Sequence, residues 1–117
     1  MFKAIRKDYM KTDYIFDDVK EDLLNHLNLE ATVVSEIDLN NGVSLSVQAS
    51  STHYCQPKIN HGVWQMVELR ISSTYRYKIP KSLLNYKEGN WHGGYIILAY
   101  VPISLVVSFI IISGGRV

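Results

Sequence analysis

Cys55 is the single thiol of a 117-residue chain, and with His53, His61 and His92 it forms the group of residues best suited to metal binding or nucleophilic chemistry. A structural zinc site needs three or four such ligands converging, usually with close pairs two to five residues apart. His53-x-Cys55 is tighter than the common finger spacings, and His61 and His92 would have to be delivered by the fold. Thiol hydrolysis needs an imidazole to stabilise the thiolate, together with an oxyanion hole. His53 and Cys55 would meet if both lay on one face of a strand. The plainer reading of Tyr54-Cys55-Gln56-Pro57 is a packed strand end and loop, with His53 hydrogen-bonded or solvated. No catalytic residue, metal or cofactor is expected.

A second constellation combines basic and aromatic residues: Arg70, Tyr75, Arg76, Tyr77 and Lys78, followed by Lys81 and Lys87. From Lys58 to Glu88 six basic residues stand against two acids, a local net charge of +4. Cations interleaved with rings can pair phosphates and stack bases, the combination used for single-stranded nucleic acid. They can equally dock onto an acidic protein patch, or form a solvated edge that deters strand-to-strand aggregation. Trp64 and Trp91 join the candidates for partner contact, because aromatics and arginine dominate interface hot spots when exposed. The opposite charge gathers in residues 13–38, where eight acids face Lys20 for a local −7. Asp17, Asp18, Glu21 and Asp22 form an acidic face there. Such a face is most simply solvated, and its alternative use is to imitate phosphates in a nucleic-acid-binding cleft. Gly89-Asn90-Trp91-His92-Gly93-Gly94 suits a turn, since no phosphate-loop or dinucleotide context follows it.

Secondary structure must position these groups. Residues 1–12 are basic and have the character of a short N-terminal arm; they lack an apolar core, so no secretory signal is expected. Thr12 or Asp13 can cap a helix whose apolar positions Ile15, Phe16, Val19, Leu23, Leu24 and Leu27 recur at three- and four-residue steps. Residues 31–39 turn to β-branched alternation, and Asn40-Asn41-Gly42 then signals a hairpin. In the second arm Val43, Leu45, Val47 and Ala49 face one way, while Ser44, Ser46, Gln48 and Ser50 face the other. A loop leads into a third antiparallel strand over residues 63–72, in which Val63, Gln65, Val67, Leu69 and Ile71 alternate with Trp64, Met66, Glu68, Arg70 and Ser72, and a short helical turn over residues 80–86 precedes a fourth strand. The expected class is α+β: a mainly antiparallel sheet of about four strands, with an N-terminal and a C-terminal helix packed on one face.

Residues 95–113 pose a separate choice, being nineteen uncharged residues long enough for a tail anchor in a membrane. Pro102 near the centre argues against one continuous helix. Split there, residues 94–101 become a buried strand, and Pro102 opens a helix that stops at Gly114-Gly115. The strand-plus-helix reading uses every part of the segment, and the membrane anchor stands as its alternative.

The segment Asn41-Gly42-Val43-Ser44-Leu45-Ser46-Val47-Gln48-Ala49-Ser50, followed by His53-Tyr54-Cys55-Gln56-Pro57-Lys58, resembles a group of small uncharacterised phage and prophage proteins. Trp64, Val67-Glu68, Val101-Pro102-Ile103 and Gly114-Gly115 extend that resemblance over roughly residues 40–115. The resemblance implies a phage-type accessory protein that binds a host protein, for instance a nucleic-acid-binding defence protein such as a CRISPR component.

Composition is compatible with this. The chain is 47% hydrophobic and 20% charged with net charge +1, which excludes disordered and fibrous classes. Its length suits one domain over residues 1–117 and excludes most large enzyme scaffolds. A lone cysteine excludes an internal disulfide framework and fits a reduced, cytoplasmic setting. The expected function is non-catalytic binding and inhibition or modulation of a host macromolecule. Single-stranded nucleic acid binding and a tail-anchored membrane protein are the alternatives.

Overall fold

The computed structural model describes residues 12–28 and 34–117. The predicted N-terminal arm therefore lies outside the described residues, except for Thr12, which opens the first helix. Helix α1 spans Thr12–Leu27. Its apolar stripe follows the predicted period: Val19, Leu23 and Leu27 are buried, and Ile15, Phe16 and Leu24 pack against the same core. Asn28 ends the helix. Its side-chain amide donates to the Leu24 carbonyl at 2.8 Å and to the Gly62 carbonyl at 2.9 Å, while its oxygen accepts the Gly62 N–H at 2.8 Å.

Four antiparallel strands follow in spatial order β1-β2-β3-β4: Ile37–Asp38, Ser44–Gln48, Met66–Ser72 and Tyr95–Pro102. The strand expected over residues 31–39 is reduced to Ile37–Asp38 among the described residues. Val34 obtains its partner from a side chain: Gln48 accepts the Val34 N–H at 3.1 Å and donates to the Val34 carbonyl at 3.0 Å. That contact also explains why Gln48 is buried, although alternation placed it on the wet face. The hairpin forms with Leu39 accepting from Gly42 at 3.0 Å and donating to Val43 at 2.9 Å. Of the three loop residues only Gly42 takes a positive φ, +88°, so the connection is a three-residue turn rather than a two-residue one.

Direct pairing aligns Leu45 with Ile71 and Ile71 with Ile96, and likewise Val47 with Leu69 and Leu69 with Leu98. These residues form the buried side of the sheet. The opposite side carries the rows Ser44-Ser72-Tyr95 and Ser46-Arg70-Ile97. Between Val67 and Leu69 the β3–β4 register shifts, and Tyr100 takes φ +53° at that point. Tyr100 N–H turns to the Tyr54 carbonyl, while Ala99 N–H donates to the Tyr86 carbonyl and Glu88 N–H to the Ile97 carbonyl, so residues 86–88 cover the outer edge of β4. At the other edge, Val117 N–H donates to Asp38 and Leu39 bridges to Arg116. Both margins of the sheet are thereby occupied, which blunts strand addition.

Between β3 and β4 the chain makes a 3-10 turn at Arg76–Lys78 and a short helix α2 at Lys81–Leu84. Residues 95–113, the candidate membrane span, divide at Pro102 into β4 and helix α3, Ile103–Ile112. This corrects the membrane-anchor alternative, because one apolar run serves two elements. Among the described residues, no helix is long and apolar enough to cross a membrane. Helix α3 closes in a Schellman motif, with Gly114 N–H to the Ile111 carbonyl and Gly115 N–H to the Ile110 carbonyl. Helices α1 and α3 meet each other, and their buried side chains join the inward-facing strand residues in one α+β core.

Candidate functional site

The thiol cluster does not assemble into a reactive site. Cys55 lies in a loop rather than on a strand and is fully buried. Its Sγ–H donates to the Ser50 carbonyl at 3.0 Å, with the Pro57 carbonyl at 3.5 Å. His53 Nδ1 shares a 2.7 Å hydrogen bond with the Ser50 hydroxyl, whereas the thiol is bonded to backbone carbonyls. His61 and His92 are exposed. His26, on α1, meets the Ser35 carbonyl at 2.9 Å. Among the described residues, no group of three or more His, Cys, Asp or Glu side chains is placed to hold a metal ion.

The basic and aromatic residues do converge. Ser73 starts the local structure: its hydroxyl accepts the Tyr75 N–H and donates to the Tyr75 carbonyl, both at 3.0 Å. This fixes the entry to the 3-10 turn, which carries Arg76, Tyr77 and Lys78 on successive residues. The Arg76 guanidinium lies 4.9 Å from the centre of the Trp91 ring and donates to the Gly93 carbonyl at 3.0 Å. The Lys78 ammonium lies 5.0 Å from the Tyr75 ring and donates to the Asn41 carbonyl of the hairpin. On β3, Arg70 sits 5.6 Å from the Tyr95 ring and pairs with Glu36 at 3.3 Å. Each cation is thus held by a ring and an oxygen, so the cluster is ordered before any partner arrives. Tyr77, 80% exposed, projects beside Tyr75, 53% exposed, with ring centres 5.6 Å apart.

Arg76 of this cluster lines an open groove of about 520 Å³, and its other members adjoin the lining residues along the chain or across the sheet. Its hydroxyls come from Ser44, Ser72, Ser73 and Thr74, and its charge from Arg76. Gly42 of the hairpin turn, with Gly93 and Gly94, completes the lining without a side chain. Asp38 stands at the Ser44 side and accepts its hydroxyl at 2.7 Å. The groove escaped sequence reasoning because its lining belongs to three separate segments, residues 42–44, 72–76 and 93–94, that only strand pairing brings together. The alternation in β2 and β3 did mark Ser44 and Ser72 as outward-facing.

Of the seven predicted contact residues, Arg70, Tyr75, Arg76, Tyr77, Lys78 and Trp91 gather at this end. Trp64 does not. Its ring is completely buried, and Nε1–H donates to the Ile59 carbonyl at 3.1 Å. The strand starts only at Met66, and Gln65 and Met66 both donate to the Gln56 carbonyl, so the alternation that would place Trp64 outside stops short of it. Trp91 is half-buried, with part of its ring packed on the core. On α1, Asp17, Glu21 and Asp22 are exposed and Asp18 is half-buried. Asp22 pairs with Arg116 at 3.0 Å, a bond that joins the acidic face to the chain end.

A smaller cluster lies at the β4 irregularity. Tyr54 and Tyr100 have ring centres 5.8 Å apart, and the Lys58 ammonium lies 5.8 and 5.5 Å from them. Lys58 also donates to the His53 carbonyl at 2.9 Å, so this cation binds its own loop.

No family model, curated protein or solved structure matches this chain.

Proposed function

We propose that this chain is a non-catalytic binding protein that engages a host macromolecule through the basic and aromatic end of its sheet and modulates it. The observation that carries this reading is the gathering of Arg70, Arg76 and Lys78, each set against a ring, at the end of the sheet where Arg76 lines an open polar groove. Preordered side chains lose less conformational freedom on binding than mobile ones do, which favours recognition. A catalytic reading has less support, because the one thiol is sealed beneath its own loop. The resemblance to phage and prophage proteins supports an accessory role and directs the search for partners to host defence proteins that handle nucleic acid.

The test is affinity capture from a host lysate with the wild-type chain and with an Arg76→Ala/Tyr77→Ala double variant. A specific macromolecule should be recovered by the wild type and lost, by about tenfold or more, with the variant. Recovery of background alone by both chains would remove the reading.

A further inference from the structure

The groove has an unusual lining for a protein-docking pocket. Hot-spot pockets are apolar at their centre and hold an aromatic or aliphatic anchor. Here glycine backbone, hydroxyls and one guanidinium line the space, and among the described residues no apolar side chain does. The rings adjoin the lining residues instead: Tyr75 lies between Thr74 and Arg76 with Tyr77 beside it, Trp91 packs against Arg76, and Tyr95 ends the Ser44-Ser72 row. Charge is arranged around it too. Arg76 lines the groove, Lys78 reaches the hairpin next to Gly42, and Arg70 occupies the neighbouring row of the same sheet face. A ligand matching this pattern is polar and anionic along its backbone and presents flat apolar faces at its sides.

From this we infer that the groove binds single-stranded nucleic acid, which deepens the binding reading above and rests on it. Phosphodiester oxygens take the guanidinium of Arg76 and the hydroxyl of Thr74, away from the Asp38 carboxylate. Bases stack on Tyr77 and Tyr75, the most exposed rings of the cluster. A duplex holds its bases in their own stack and cannot present them to these rings, so single strands are preferred.

Fluorescence anisotropy with a labelled oligothymidylate of about a dozen nucleotides tests the assignment. With the two cations not paired to a carboxylate, Arg76 and Lys78, on phosphates, affinity should fall roughly sevenfold between about 50 mM and about 200 mM salt. Arg76→Ala should weaken binding and flatten the logarithmic salt dependence by about 0.7. Tyr77→Ala should weaken it about fivefold or more and leave the salt dependence unchanged, as expected for lost stacking. Tyr77 is 80% exposed, so this variant keeps the core and remains informative even if Arg76→Ala loosens the Gly93 turn. Lys20→Ala, which removes the same charge on α1, should bind as wild type does. Absence of an anisotropy change at low salt overturns the inference. So does equal affinity for duplex together with an indifferent Tyr77→Ala, or displacement by polyglutamate at equal charge concentration, which would mark the end as a site for acidic protein. If oligonucleotide fails while lysate capture still depends on Arg76 and Tyr77, the single-strand assignment falls and the binding reading stands; failure of both removes both.

Discussion

Trp64 and Trp91 carry the same side chain, yet their surroundings give them opposite tasks. Trp64 is fully enclosed, and its indole N–H is satisfied by a backbone carbonyl, as a buried tryptophan requires. Trp64→Ala should therefore destabilise the chain by about 3–5 kcal/mol in urea unfolding, and a loss below about 1 kcal/mol would contradict its central place in the core. Trp91 presents one face to Arg76 and packs the rest on the core, so it serves the rim. Residue type alone marked both as contact candidates. Only the strand boundary at Met66 separates them. Tyr100 makes the same point about the backbone: a left-handed tyrosine, at a cost of about 1–2 kcal/mol, is tolerated because its N–H is claimed by Tyr54 while its neighbour turns to Tyr86.

At the scale of elements, boundaries follow from local chemistry where proline and glycine act, and from long-range contacts elsewhere. Pro102 ends β4 and caps α3, and Gly114 at φ +87° begins the helix stop. A Cβ on Gly114 would come 3.3 Å from the Asn40 Cβ, whereas one on Gly42, at φ +88°, would meet nothing within 4 Å. Both alanine variants suffer the left-handed penalty of about 1 kcal/mol, and Gly114→Ala adds a tight contact with Asn40 of the hairpin, which must give way slightly. The midpoint of thermal unfolding should thus fall further for Gly114→Ala than for Gly42→Ala; equal falls would show that the Asn40 contact yields freely. The α1 period, the hairpin, β2 and the strand-helix division at Pro102 were all legible in the residues, because each depends on patterns within about a dozen positions. The shortening of β1 was not, since Val34 is paired by the Gln48 side chain fourteen residues on.

For the whole molecule, the buried side chains of α1, the sheet and α3 form one cluster, so cooperative unfolding is expected. In a Trp91→Phe variant, the fluorescence of Trp64 and far-ultraviolet circular dichroism should report the same urea midpoint; two separated midpoints would show that the loop holding Trp64 melts independently. The charge polarity of the chain was already visible as a basic stretch and an acidic stretch, and the basic stretch became a site only when β3, the 3-10 turn and the Trp91 segment were brought together. By itself the sequence determined the α+β class, the main helices and strands, and most of the residues at the basic end, because period, turn chemistry and charge are properties of short segments. Tertiary structure alone decided that Trp64 is core and that Cys55 is enclosed. It also created the hydroxyl-lined groove, whose walls lie up to about fifty residues apart along the chain and meet through strand pairing.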